Sequence, residues 1–391
     1  MPASAEAKLE IPFHRAYLGE DEVEAVAEVV RSGWLTMGAK TLQFEKEFAA
    51  YIGVAHAIAV NSCTSALHLC LEAIGIAAGD EVLVPTNTFT ATAEVVTYFN
   101  AKPVLVDVDP RSLNLDVNAA ANLVTPHTRA IIPVHMAGQP CELQPISELA
   151  ARCGLRVIED AAHALPATYH GRPIGAFSEL TAFSFYATKT LTTGEGGMIT
   201  TDNNDLAGRM RTMRLHGISR DAWKRYSAEG AWYYEVKEAG YKYNLTDLQA
   251  AIGLIQLRKC AEMHRLRKLI ARRYDNAFAA VPSLETPSVE PGRESAWHLY
   301  VLRLRLDHLM VDRDRFIREL RERGISASVH FIPLHLHPYY QAKYGYRAGQ
   351  FPNSEAEYRR YLSLPIFPGM TDDEVDRVIA VVSEIAMRYA R

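Results

Sequence analysis

Arg156-Val157-Ile158-Glu159-Asp160-Ala161-Ala162-His163-Ala164 is the stretch from which the fold can be read. It opens as a short β-branched run and stops at two carboxylates followed by small residues. A strand buried on both faces reads as a near-continuous apolar run, whereas a strand with one wet face alternates. Four more runs share the pattern: Glu81-Val82-Leu83-Val84-Pro85, Val104-Leu105-Val106-Asp107-Val108, Ala130-Ile131-Ile132-Pro133-Val134 and Thr181-Ala182-Phe183-Ser184-Phe185. Helical stripes lie among them. From Asp21 to Ser32, Val23, Val26, Ala27 and Val30 recur at i, i+3, i+4 and i+7, and Leu67, Leu71 and Ile74 do so from Ser65 to Gly75. This alternation predicts an α/β fold built on a large, mostly parallel sheet. Several runs end in a polar residue or a proline, at the carboxyl edge where open α/β sheets bind ligands.

Beyond the last run the texture changes. Thr246-x-x-Gln249 has the form of a capping box, opening a helix that continues past Leu257 towards Arg273. Pro282, Pro287 and Pro291 mark a loop. A strand from Trp297 to Leu304 and a helix from Arg313 to Arg323 follow, then irregular sequence rich in His, Tyr and Pro. Thr371-x-x-Glu374 opens a last helix with Val375, Val378, Ile379, Val382 and Ile385 on one face. The reading is a large domain over 1–257 and a smaller α+β domain over 258–391, and 391 residues leave room for both.

Composition narrows the partners. Lys+Arg 42 against Asp+Glu 46 gives no basic excess for a nucleic-acid footprint. No apolar run approaches the ~18 residues of a membrane span. Met1 to Lys8 has neither the basic nor the apolar region of a secretory signal. Cys63, Cys70, Cys141, Cys153 and Cys260 are scattered, without zinc spacing or a disulfide framework. His135, His163, His216 and His330 are dispersed and make no metal site. The expectation is a soluble cytoplasmic protein with no nucleic-acid or membrane partner.

The chemistry rests on a combination of segments. In Ser184-Phe185-Tyr186-Ala187-Thr188-Lys189, followed by Thr193-Gly194-Glu195-Gly196-Gly197, a lysine stands between a buried strand and a glycine-rich turn. It is either a surface lysine at a strand end or a Schiff-base lysine made nucleophilic by desolvation. Asp160 closes an apolar strand, as a helix N-cap or as a buried carboxylate in need of a cation. Pyridoxal phosphate sites pair a Schiff-base lysine with such a carboxylate on the pyridine nitrogen. His163 suits that pocket or an ordinary core position. Asn61-Ser62-Cys63-Thr64-Ser65-Ala66-Leu67 leads from a short strand into a helix through small hydroxyl residues, which serves either simple capping or phosphate binding at the helix N-terminus. Ser184 adds a hydroxyl, and Phe89 offers a flat ring.

These segments, with Gly240-Tyr241-Lys242-Tyr243-Asn244-Leu245-Thr246-Asp247, resemble the DegT/StrS family of nucleotide-sugar aminotransferases. The resemblance runs from Gly33-Trp34-Leu35-Thr36 to Ser363-Leu364-Pro365-Ile366-Phe367-Pro368 and is greatest to the enzymes that make UDP-4-amino-4-deoxy-L-arabinose. It implies a fold-type-I aspartate-aminotransferase architecture, pyridoxal 5'-phosphate as cofactor, and a homodimer with shared active sites. L-glutamate would be the amino donor, leaving as 2-oxoglutarate, and a nucleotide-linked 4-keto sugar the acceptor. Implied roles are Lys189 as Schiff-base lysine and proton carrier, Asp160 on the pyridine nitrogen, and Phe89 and His163 against the ring. Thr64, Ser65 and Ser184 would hold the phosphate, with Asn244 from the partner subunit, and His330 would lie near the sugar. Tyr186 adjoins the lysine without an assigned role. Phe89 departs from the tryptophan that the arabinose enzymes commonly carry. Other pyridoxal-phosphate chemistries, namely an amino-acid aminotransferase or a sugar dehydratase, and an idle regulatory relative are the alternatives. Lys189 argues against a dehydratase, in which this family replaces the lysine by histidine. Arg211, Arg214, Arg220 and Lys242 are either candidate cations for a nucleotide diphosphate or, the more common case for such residues, solvated helix and loop charges.

Overall fold

The computed structural model describes residues 10–218 and 234–391, so Met1 to Lys8 and Arg220 lie outside the described residues. In chain order the elements of the first half are α1 (Glu20–Ser32), α2 (Ala39–Ile52), β1 (His56–Val60), α3 (Cys63–Ala73), β2 (Glu81–Pro85), α4 (Ala91–Thr97), β3 (Lys102–Val106), α5 (Val117–Ala121), β4 (Thr128–Ile131), α6 (Leu143–Cys153) and β5 (Arg156–Asp160). Then come β6 (Thr168–Tyr169), β7 (Arg172–Pro173), β8 (Leu180–Ser184), β9 (Gly197–Thr201), α7 (Asn204–Met213) and α8 (Asp247–Phe278). The remainder is β10 (Leu284–Glu285), β11 (Arg293–Glu294), β12 (Tyr300–Leu304), α9 (Arg313–Glu322), α10 (Pro338–Tyr344), α11 (Pro352–Tyr358), β13 (Tyr361–Leu364) and α12 (Asp372–Arg388).

Seven strands form the large sheet in the order β1-β9-β8-β5-β4-β2-β3. The pairs β2–β3, β2–β4, β4–β5 and β5–β8 are parallel, and β9 lies antiparallel to both β8 and β1. The carboxyl ends of the other six strands therefore share one edge. Alternation along each strand sorts the side chains between two cores. Ile58, Val60, Ile158, Leu180 and Ala182 pack with residues of α3, α4 and α7, while Ala57, Ala59 and Phe183 pack with α2, α6 and the start of α8. Asp160 and Ser184, two residues beyond Ile158 and Ala182, thus belong to the α3 face.

The ends of the elements follow local chemistry. The α1 helix ends on Gly33 at φ 74, a left-handed conformation that glycine adopts without steric cost. Both sequence-read capping boxes are present. Thr246 Oγ1 accepts from the Gln249 N–H at 3.3 Å and Gln249 Oε1 from the Thr246 N–H at 3.1 Å; at α12 the pair is Thr371 and Glu374.

The α8 helix has 32 residues, about 48 Å at 1.5 Å per residue. Leu254, Leu257 and Cys260 belong to the large-sheet core, and Ile270, Tyr274 and Phe278 to a separate C-terminal core. The boundary read at 257/258 falls inside this helix. The C-terminal core also takes in Tyr300, Leu302, Val375, Val378, Val382 and Ile385 around a small antiparallel sheet, β10-β12-β13. Ile11 joins it from the other end of the chain, bridging Ile325 in parallel. No helix among the described residues is long and apolar enough to cross a membrane.

Candidate active site

A cavity of about 460 Å³ opens at the carboxyl edge of the large sheet. Lys189, Asp160, Thr64, Ser184, Phe89, His163 and His330 all line it. The 185–196 connection between β8 and β9 carries the lysine. Phe185 donates its N–H to Gly196 O at 2.8 Å and accepts from the Thr193 N–H at 2.9 Å, which closes the base of this excursion. Lys189 N–H bonds back to Tyr186 O at 2.9 Å. Burial brings the Lys189 amine down to about 8, against the opposing pull of Cys63 and Asp160.

Asp160 is 5% exposed. Thr92 on α4 donates its hydroxyl to Oδ2 at 2.8 Å, and the Ala162 N–H donates to Oδ1 at 3.1 Å. Burial nonetheless raises its carboxyl above the usual range, with these two donors and Lys189 opposing. Behind it, His135 and Glu159 form a fully buried pair at 2.8 Å. The Cys141 N–H donates to His135 Nδ1 at 3.0 Å, so Nε2 carries the proton and donates to Glu159.

The α3 N-terminus forms one wall, with Ser62, Cys63 and Thr64 on the lining. Ser62 Oγ caps the helix by accepting the Ser65 N–H at 3.0 Å. Ser65 is placed differently from the wall residues: its hydroxyl donates to Asn61 Oδ1 at 2.6 Å, away from the lining. Gly197 at the start of β9 lies against this helix end, where a Cβ would stand 2.6 Å from the Ser62 carbonyl.

Aromatic residues line another part of the cavity. His163 stacks on Phe331 at 5.9 Å and 20°, and Phe89 meets Phe331 at 5.9 Å, itself 59% exposed. His163 Nδ1 is buried without a partner. Burial first, then Lys189 and His330, hold the His163 ring neutral by lowering it well below the ordinary histidine range. His330 bonds Ser363 Oγ through Nδ1 at 3.0 Å and falls to about 4, again through burial and Lys189.

Asn244 is buried beside Val60, bridging the end of β1, and does not line the cavity of its own chain. Among the candidate cations, Arg214 is buried against Glu45 and Ala59 O, Arg211 reaches Ala57 O at 3.4 Å, and neither they nor Lys242 line the cavity. Sequence reasoning did not single out Thr92, Ser62, Cys63, Glu195, His298 or Phe331. Of these only Ser62 and Cys63 carried a local signal, in the small-residue run ahead of α3. The donor set fits pyridoxal phosphate: a low-pKa amine, a buried carboxylate for a protonated nitrogen, a helix N-terminus for the phosphate, and a neutral flat ring with an unsatisfied nitrogen.

Comparison with known proteins gives the same answer. The DegT/DnrJ/EryC1/StrS aminotransferase family model matches residues 16–383. Spore coat polysaccharide biosynthesis protein SpsC of Bacillus subtilis is 50% identical over 376 residues, 96% of this chain and 97% of its own. The pyridoxal-phosphate form of the putative sugar aminotransferase Spr1654 from Streptococcus pneumoniae superposes with a TM-score of 0.91 at 31% identity, covering 97% of this chain and 99% of that one. Helicobacter pylori PseC, an aminotransferase involved in the biosynthesis of pseudoaminic acid, gives 0.91 at 28% identity over 97% and 100% of the two chains. A lysine and a carboxylate facing one cavity, in a chain matched over nearly its full length, place it with these proteins: it belongs to the DegT/DnrJ/EryC1/StrS aminotransferase family and is a pyridoxal-phosphate-dependent sugar aminotransferase.

Proposed function

We propose that the enzyme moves an amino group from L-glutamate to the 4-keto carbon of a nucleotide-linked sugar. The product is a 4-amino sugar for a cell-surface polysaccharide or lipid such as lipopolysaccharide. The observation that carries the reading is the convergence of Lys189, Asp160 and the α3 N-terminus on one cavity. Pyridoxal phosphate there supplies an electron sink and a carrier for the amino group. Thr64 and Ser184 hold the phosphate beside the helix end, joined by the partner subunit's Asn244, while the Ser65 hydroxyl is taken by Asn61. Asp160 keeps the ring nitrogen protonated, and His163 and Phe89 flank the ring. Lys189, half-buried with its amine brought down to about 8, takes a proton from the donor carbon and returns it on the other side of the transfer. His330 faces the sugar.

Support for a surface polysaccharide comes from the likeness to SpsC, a spore coat polysaccharide biosynthesis protein. A homodimer is supported by apolar side chains left exposed on and after α1, among them Val23, Val30, Leu35 and Leu42. The five cysteines are free, which accords with a reducing cytoplasm. The test is spectroscopic. Glutamate should bleach the yellow band of the purified enzyme, and a 4-keto sugar nucleotide should restore it. UDP-4-ketopentose, UDP-4-keto-6-deoxy-N-acetylhexosamine and dTDP-4-keto-6-deoxyglucose are compared. Recovery with a simple 2-oxo acid and with none of the three sugars would overturn the proposal.

A further inference from the structure

His298 belongs to the C-terminal part of the chain, just ahead of β12, yet its side chain lines the cavity. It is 6% exposed, and its ring lies 4.4 Å from that of His163 at 38°. Nδ1 of each imidazole is buried without a partner, so neither ring is held by a hydrogen bond at that nitrogen. His163 thus lies between two rings, those of His298 and Phe331.

The backbone around His298 is held from two sides. Ala296 N–H donates to Gly138 O at 3.0 Å and Leu299 N–H to Ala137 O at 3.2 Å, tying this segment to the turn at Met136–Gly138. Arg267 of α8 is 1% exposed and donates to the carbonyls of Trp297 at 3.2 Å, His298 at 3.4 Å and Ile366 at 2.7 Å. Trp297 at φ 51 and Ala137 at φ 58 both sit in the left-handed region, which a residue with a Cβ occupies only where its surroundings over-determine it. At Gly138 a Cβ would come within 2.9 Å of His163 O and 3.1 Å of Trp297 N. Two strained residues and a close glycine contact thus meet where the chain ahead of β12 touches His163, apart from its contact with Phe331.

We propose that His298 is a positioning residue for the cofactor: its ring fixes the tilt of His163, and through it the seat of the pyridine ring. This rests on His163 lying against that ring. Burial, His163, Lys189 and Arg267 keep His298 neutral, so the contact is one of flat faces and adds no cation to a wall already facing Lys189. The seat of the cofactor is then completed by a segment anchored to α8, and not by the large sheet alone.

The full chain is stripped, reloaded with pyridoxal phosphate, and compared with His298→Ala, His298→Phe and His163→Ala. Visible-band circular dichroism reports the asymmetry around the bound ring, and titration gives the cofactor dissociation constant. His298→Ala should lose much of the visible dichroism and bind the cofactor about three- to tenfold more weakly, the scale of one lost ring–ring contact. His298→Phe, which keeps a flat ring, should recover most of both. Wild-type dichroism and affinity in His298→Ala, or no recovery in His298→Phe, would overturn the proposal. If the alanine variant does not fold, His298→Leu replaces it, filling the space without a flat face; equality of Leu and Phe is then the overturning result. His163→Ala separates the two layers. An unaffected signal there removes both roles, whereas a loss there beside a normal His298→Ala overturns that of His298 alone.

Discussion

Lys189 acts as a nucleophile and base only without its proton, and burial brings that point to about 8. At pH 7 roughly one amine in ten is then neutral, against roughly one in a few thousand at the reference value near 10.4. We expect the rate at which pyridoxal phosphate reattaches to the stripped protein to climb about tenfold per pH unit below 8 and to level off above it. Stopped-flow absorbance measures this, and a flat rate would exclude the Lys189 amine; in Lys189→Ala, borohydride should fix no cofactor. Asp160 works in the opposite direction. Its folded-state carboxyl keeps its proton to higher pH than the unfolded chain does, so its contribution favours folding at low pH and is withdrawn as pH rises through the raised value. Cofactor-free Asp160→Asn should therefore unfold at a temperature no lower than wild type at neutral pH. With the cofactor loaded, the turnover of the same variant should fall about 10²–10⁴-fold, the equivalent of the ~3–5 kcal/mol typical of breaking a buried pair. Calorimetry beside a steady-state assay checks both, and a wild-type rate would remove Asp160 from the ring nitrogen. Lys189 and Asp160 were legible because Asp160 closes one apolar strand and Lys189 follows another, where carboxyl ends of strands gather. Thr92 and His298 were not: a hydroxyl inside a helix and a histidine ahead of a strand carry no local mark. Thr92 meets Asp160 across 68 residues of sequence.

Among the elements, the contact of β9 with the head of α3 gives the sharpest test. An added Cβ at Gly197 meets the Ser62 carbonyl carbon and oxygen at 2.6 Å and Cys63 N at 2.8 Å, backbone atoms that cannot swing aside. Gly197→Ala should cost ~1–3 kcal/mol by denaturant unfolding and loosen cofactor retention. Gly208 within α7 has nothing within 4 Å of its added Cβ, so Gly208→Ala should instead stabilise by ~0.5–1 kcal/mol and leave the cofactor in place. Equal effects from the two would contradict the packing at the helix head. The apolar runs at Glu81–Pro85 and Arg156–Asp160 match β2 and β5 residue for residue, and both capping boxes open the helices read from them. Two elements escaped local reading. Nothing in Gly197-Met198-Ile199-Thr200-Thr201 signals an antiparallel strand slotted between parallel ones, because pairing direction is set by the partners. The strand read from Trp297 begins only at Tyr300, since φ 51 at Trp297 breaks the extended chain.

For the molecule as a whole, the shared-site reading makes a complementation test. Asn244→Ala and Lys189→Ala should each be inactive or nearly so as homodimers. Mixed and re-formed, they should recover about a quarter of the wild-type sites, because half the dimers are hybrids and each hybrid holds one intact site of two. Activity of the mixture no greater than that of its parents, or sedimentation of a fully active monomer, would exclude it. The layout of the α/β sheet could be read from periodicity, but the pairing of Ile11 with Ile325 could not, since neither residue carries any mark of the other. That pairing bears on the order in which the chain can be completed as it is made. Ile11 leaves the ribosome early, while its partner follows some 300 residues later, roughly 15–60 s at 5–20 residues per second. The large sheet can draw on strands that all emerge by Thr201, whereas Ile11 stays unpaired through most of synthesis. The C-terminal core, which needs Ile11 beside residues made about 300 positions later, is the last to close.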